Sequence, residues 1–320
     1  MSDPLLSVRD LSVEFQTPAG RIRAVDRVSF DLAKGETLAL VGESGCGKST
    51  LARAMVGLVP PKSGSVRFAG QETTGKSRAE LRPVRQKLQL VFQDPHTSLN
   101  PRLTISTILE EPLLLHGRLQ GKAADSRVCE LLEQVGLDPA LRARYPHEFS
   151  GGQRQRISVA RALAVGPELL LCDEVTSALD VSVQAQMLEL LSGLQARLGL
   201  SYLFITHDLG VVRSIAHRIA VMYLGQVVEL SATEPFFENP LHPYSQGLLS
   251  SIPRLRVEGG QRRSLMQGEV PSPARPPPGC RFHTRCPRRF GRCSEEEPQS
   301  YAVGERSSRC FLHDPAGEQG

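Results

Sequence analysis

The run GESGCGKST, residues 42 to 50, narrows the possible folds of this chain more than any other stretch. Gly42, Gly47, Lys48 and Ser49 satisfy G-x-x-x-x-G-K-[ST], with an apolar run, TLALV, leading in and a helix-like run, STLARAMVGL, leading out. A loop in that context caps a helix, so its backbone N–H groups surround phosphate oxygens and the helix dipole adds to the attraction. Glycines keep side chains out of that approach. Lys48 is expected along the β- and γ-phosphates and the Ser49 hydroxyl in a Mg²⁺ shell, with Ser44, Gly45 and Thr50 counted among the nucleotide-binding positions.

The loop belongs to an alternating chain. LLSVRDLSVEF, VSFDL, ETLALVG, ELLLCDE, SYLFITHD and IAVMYLGQVVEL read as strands, with helical patterns between them, which predicts an α/β domain with a mainly parallel sheet over residues 1–235. Within it, residues 97–160 carry helical patterns such as LTISTILEEPLLL and SRVCELLEQVGL, and read as a helical insertion. From 236 to 320 the texture changes to an extension. EVPSPARPPPGC holds five prolines and reads as an extended connector.

Charge and hydropathy exclude several classes. With 38 Lys+Arg against 34 Asp+Glu, the net charge of +4 is too mild for a nucleic-acid-binding face. No apolar run approaches the roughly 20 residues of a membrane span, and MSDPLLSVRD lacks a leader pattern, so a cytoplasmic chain is expected.

ELLLCDE, residues 168 to 174, delivers Asp173 and Glu174 at the carboxyl end of a buried strand, where α/β sheets bind ligands. Asp173 suits a Mg²⁺ contact and Glu174 the polarisation of an attacking water. HEFSGGQRQRISVARAL places Ser150, Gly151, Gly152 and Gln153 at a helix start. Alone, that pattern is equally a serine N-cap with tolerated glycines.

Together these residues resemble the ATP-binding subunits of ABC transporters. In that family SGGQ is the signature motif, which would touch the γ-phosphate of an ATP held by the opposing subunit. The resemblance implies further roles. Gln93 in LVFQDP would contact Mg²⁺ or the water and relay nucleotide state, Asp180 in SALD would organise a dimer interface, and His207 in LFITHD would bind the γ-phosphate. Phe15 falls where the family stacks an aromatic on adenine, although a strand Phe is at least as often core. One position departs from the family, since Val175 stands where Pro usually follows the Asp-Glu pair, freeing φ and restoring an N–H.

NPLHPYSQGLLSSIPR (239 to 254) and GEVPSPARPPPGCRFHTRCP (268 to 287) extend the resemblance to the dipeptide and oligopeptide importers, and most of all to the F-type ATPase subunits of dipeptide importers. That resemblance implies ATP hydrolysis coupled to peptide uptake at the cytoplasmic face of the membrane. The implied partners are a related second ATPase subunit in a heterodimer, two permeases and an external substrate-binding protein, with no nucleic acid. Nickel or another small solute is an alternative cargo. A soluble, non-transport ABC ATPase and a redox-sensing metal protein are the other readings.

Cys280, Cys286, Cys293 and Cys310 fall within the last 41 residues, spaced Cx5C, Cx6C and Cx16C. These are neither tight zinc patterns nor common ferredoxin runs. The resemblance suggests a [4Fe–4S] cluster, with Zn²⁺ or free thiols as alternatives. Arg281, Arg285, Arg288 and Arg289 read either as a solvated basic face or as offsets to a cluster's charge. Cys46 is a variable loop position, while Cys129 and Cys172 read as core.

Overall fold

The computed structural model describes residues 3–18, 20–94, 98–117, 119–251, 266 and 268–317. Pro95 of LVFQDP and residues 252–254, which end the NPLHPYSQGLLSSIPR run, lie outside the described residues. Two compact units emerge, one within Leu6–Asp31, Leu38–Thr74 and His207–Gly320, the other within Met1–Leu5, Leu32–Thr37 and Gly75–Thr206.

In chain order, the first unit opens with β1 (Leu6–Thr17), β2 (Gly20–Leu32), β3 (Thr37–Val41), α1 (Lys48–Met55), β4 (Ser63–Phe68) and β5 (Gln71–Glu72). The second unit follows with α2 (Arg82–Lys87), β6 (Leu88–Val91), α3 (Ile105–Leu115), α4 (Lys122–Gln134), α5 (Gly151–Leu163), β7 (Leu169–Asp173), α6 (Val181–Leu198) and β8 (Ser201–Thr206). The chain then returns to the first unit through α7 (Leu209–Ile215), β9 (Arg218–Tyr223), β10 (Gln226–Ala232), α8 (Thr233–Glu238), α9 (Pro243–Ser250), α10 (Arg292–Glu295), β11 (Tyr301–Val303) and β12 (Arg306–Ser308).

The second unit carries β8, β7 and β6 side by side and parallel, with Leu169 opposite both Leu88 and Ser201. LLLCD and SYLFIT are buried at every residue, as a parallel sheet sealed on both faces requires. Among the described residues no strand interrupts 92–168, and α3, α4 and α5 fall in that stretch.

The first unit holds an antiparallel sheet ordered β2-β1-β4-β5 and a mixed run ordered β11-β12-β10-β9-β3. VSFDL is only the end of β2, which begins at Gly20. IAVMYLGQVVEL is not one strand but the β9–β10 hairpin. Its two-residue turn is Leu224 at φ 42° and Gly225 at φ 85°, the pair of positive φ values that the twist of a tight hairpin demands. The C-terminal extension then adds β12 to the free side of β10, with Glu229 opposite Ser308. Buried Glu229 accepts the N–H groups of Leu241 and His242 at 2.9 and 2.8 Å, which fixes the NPLHPY run. His242 caps α9 through Nδ1 and Pro243 fills its first turn, where a missing N–H costs nothing. EVPSPARPPPGC has no regular helix or strand, as its prolines foretell.

Cys172 is fully buried on β7, with burial pushing its thiol up to about 12. Cys129 is only half-buried on α4, because it sits at the edge of that helix's apolar stripe. Among the described residues, no helix is long and apolar enough to cross a membrane.

Candidate active site

The phosphate loop joins β3 to α1 in the first unit. Gly47 caps α1 at φ 108°, and a Cβ there would stand 2.0 Å from the Ala24 carbonyl oxygen. At Gly42 a Cβ would stand 2.2 Å from the Met222 carbonyl oxygen. Backbone closes first on both positions, so neither tolerates another residue. Gly45 faces the opposite situation, with nothing within 4 Å of its would-be Cβ among the described residues.

Lys48 is 5% exposed, and its Nζ donates to the Gly42 and Glu43 carbonyls at 2.8 and 3.1 Å. A buried ammonium held in a fixed place at a helix N-terminus suits an anion. Cys46 Sγ lies 3.8 Å from that ammonium, and burial raises its thiol pKa despite the lysine, so Cys46 is no activated nucleophile. Phe15 is 39% exposed on β1 and is not a core residue.

In the second unit, buried Asp173 ends β7 and Glu174 follows at φ 49°. A non-glycine residue in that region is held there by its surroundings. Glu174 N–H donates to the Ile205 carbonyl at 3.0 Å, and its own carbonyl accepts from Ser177 N–H and Oγ at 3.1 and 2.9 Å. The turn thereby throws the carboxylate off the strand end. Gln93, just past β6, donates its Nε2 to Glu174 Oε2 at 2.8 Å. The structure thus brings together two residues that the sequence separates by 81 positions. Val175 is 2% exposed, so the residue standing in for proline is packed. Asp180 caps α6, accepting from Ser182 Oγ at 2.7 Å and from Val183 N–H at 3.0 Å. Those bonds, the Ser182 hydroxyl first, hold its carboxyl below the usual range. His207 is exposed immediately after β8.

Ser150 caps α5 in a reciprocal box with Gln153. Ser150 Oγ accepts from Gln153 N–H at 3.3 Å, and Gln153 Oε1 accepts from Ser150 N–H at 3.0 Å. The two glycines differ. A Cβ on Gly152 would sit 2.5 Å from Val183 Cγ1, so packing against α6 explains that glycine. A Cβ on Gly151 would meet nothing within 4 Å among the described residues, so intrachain packing gives no reason for it.

All four C-terminal cysteines line one pocket, together with Phe282, Phe290 and Phe311. Burial pushes the Cys280 thiol up to about 12 and Cys310 up to about 11, and also raises Cys286. Such thiols bind a metal only by giving up protons. Among the described residues, no group of three or more His, Cys, Asp or Glu side chains is set to hold a single metal ion.

The solvated basic face expected of the module's arginines is corrected at two of its four positions. Arg281 and Arg285 are 11% and 7% exposed, paired with Asp26 and Glu43, because burying a guanidinium requires a carboxylate partner. Sequence reading missed Glu43, Tyr244, Asp26 and these pairings, and no spacing rule links residues more than 200 positions apart.

Comparison with known proteins gives the class. The ABC transporter family model matches residues 25–177, and that of the oligopeptide/dipeptide transporter C-terminal region matches 228–293. The chain resembles a dimeric ATP-binding cassette solved in a post-hydrolysis state with ADP and Pi, at TM-score 0.66 and 30% identity, covering 71% of this chain and 98% of that one. This chain belongs to the ABC transporter family as one of its ATPases. Within the family its relatives are the peptide-transport members. It is 52% identical to the oligopeptide transport ATP-binding protein AppF of Bacillus subtilis over 288 residues, 89% of this chain and 88% of that one. It is 46% identical to the dipeptide transport ATP-binding protein DppF of Escherichia coli over 320 residues, 98% and 96% respectively.

Proposed function

We propose that this chain energises the uptake of dipeptides or oligopeptides, working at the inner face of the cell membrane with two permease subunits, a related second ATPase and an external binding protein. The observation that carries the reading is the co-occurrence, in one chain, of the ATPase motifs and the peptide-transporter C-terminal region. That extension also weighs against a soluble, non-transport ATPase.

In this reading the loop at 42–50 binds the ATP phosphates, Lys48 lies along them, and Phe15 receives the adenine. Bound Mg²⁺ would supply charge neutralisation on the phosphates, and the oxygens of Ser49, Asp173 and Gln93 are of the hard kind that would hold it. Glu174 accepts a proton from the attacking water. Gln93 orients that carboxylate, since its amide already holds Oε2 at 2.8 Å. His207 donates to the γ-phosphate. Ser150, Gly151, Gly152 and Gln153 serve the second subunit's nucleotide, and Asp180 sits at that interface.

A glycine pair tests the signature role. Gly152→Ala should lower the thermal midpoint, since overpacking against Val183 costs about 1–3 kcal/mol. Gly151→Ala should leave the midpoint unchanged or raise it, by up to about 1 kcal/mol in stability, while ATP turnover drops at least about tenfold. Turnover unchanged in Gly151→Ala would reduce SGGQ to a helix cap.

The four cysteines are proposed to hold a [4Fe–4S] cluster, on the strength of their shared pocket. Protein purified without oxygen should then carry about four iron and four sulfide per chain. One zinc per chain and no sulfide would select the mononuclear alternative.

A further inference from the structure

We infer that the cysteine-bearing C-terminal module positions the phosphate loop, through Arg285 and Tyr244 acting on Glu43. This rests on the reading of residues 42–50 as the nucleotide site.

Glu43 is the second residue of the loop, at a position the G-x-x-x-x-G-K-[ST] pattern leaves open. In the structure it is gripped from both ends. Its carboxylate takes a two-pronged ion pair from Arg285, with Nη1 to Oε2 at 2.8 Å and Nη2 to Oε1 at 3.0 Å. Its backbone N–H is 3.0 Å from the hydroxyl of Tyr244, which accepts it. The Glu43 carbonyl, in turn, is one of the two that receive Lys48 Nζ. One residue therefore links the module to the lysine that meets the phosphates.

The gripping groups are rigid. Tyr244 is fully buried in a ring cluster, with centroids 4.6 Å from Tyr223 and 5.4 Å from Phe282. The Arg285 guanidinium lies 5.9 Å from the Tyr223 ring centroid. Its planar fork matches a carboxylate in a way that a lysine cannot. The Glu43 hydrogen bonds, set against partial burial, keep that guanidinium's pKa above its ordinary value.

A second connection reaches the other flank of the loop. Arg281 donates to the Asp26 carboxylate and to the Leu224 carbonyl. Leu224 is the strained residue of the β9–β10 turn, and the next residue, Gly225, donates its N–H to the Cys46 carbonyl of the loop at 2.9 Å. Asp26 N–H donates back to Gly225 at 2.8 Å, closing the circuit. Arg281 follows Cys280 and Arg285 precedes Cys286, so both connections leave from the segment between the first two cysteines. Anything that orders or disturbs that segment must change the loop's preference for nucleotide, and nucleotide must change the segment by the same factor.

The test is equilibrium binding of a fluorescent ATP analogue to the purified full chain, with steady-state KM and kcat alongside. Arg285→Ala and Glu43→Gln should each weaken binding about tenfold, equivalent to about 1.4 kcal/mol. KM for ATP should rise while kcat at saturation stays within about twofold, a split that general loss of fold does not produce. The double variant should be no weaker than either single one, because both remove the same contact. Arg285→Lys guards against misfolding of the alanine variant, and should bind between wild type and Glu43→Gln. Wild-type affinity in Arg285→Lys and Glu43→Gln, or losses that add in the double variant, would overturn the inference. Failure of wild type itself to bind, with Lys48→Ala no different, would instead overturn the reading of the loop.

Discussion

Replacing Glu174 with glutamine should lower ATP turnover by at least about a hundredfold while leaving ATP affinity within about twofold of wild type. General-base assistance is worth roughly 10²–10⁴ in rate, and glutamine keeps the size and one hydrogen-bond acceptor while giving up the basic carboxylate. The fold should not object. The backbone of residue 174 is held by its N–H on Ile205 and its carbonyl under Ser177, with φ at 49°. Gln93 can still donate to the amide oxygen of a glutamine. Single-turnover hydrolysis and nucleotide binding, measured on the same preparation, check both halves. A turnover loss matched by an affinity loss would mean that residue 174 serves binding and not chemistry.

Lys48→Ala should act on the other half of the cycle and weaken ATP binding by about a hundredfold or more. Charge-assisted hydrogen bonds contribute about 1.5–3 kcal/mol each, and the lysine is placed for at least two. Its removal also leaves the Gly42 and Glu43 carbonyls without the ammonium they now share, which loosens the loop itself. The thermal midpoint without nucleotide should therefore fall modestly, and the nucleotide-induced rise in midpoint should vanish. A full nucleotide-induced rise in Lys48→Ala would remove the lysine from the site.

The loop, the acidic strand end and the helical insertion were legible in the sequence because each is local. GESGCGKST sits between a buried strand and a helix, and ELLLCDE ends where a fully apolar strand must meet solvent. The β9–β10 hairpin was not, since Leu-Gly is an uncommon pair for two positive φ values. Leu224 tolerates its strain because Arg281 holds its carbonyl and the loop holds its neighbour. The module's arginines were misjudged for a related reason. A run such as CRFHTRCPRR looks like solvated charge until the carboxylates it meets are known, and Asp26 and Glu43 lie more than 200 residues away. Phe15 was ambiguous between core and platform, and its exposure decides against core. For SGGQ the cap reading is realised by Ser150 and Gln153, yet among the described residues nothing packs within 4 Å of a Cβ at Gly151.

The measurement closest to the central claim is uptake of labelled dipeptide and of labelled nickel by cells carrying the native gene, a deletion, or Glu174→Gln. Dipeptide uptake should be lost in both mutant strains while nickel uptake is unchanged. Loss of nickel uptake alone would contradict the peptide cargo, and unchanged uptake of both would contradict the coupling of this ATPase to import.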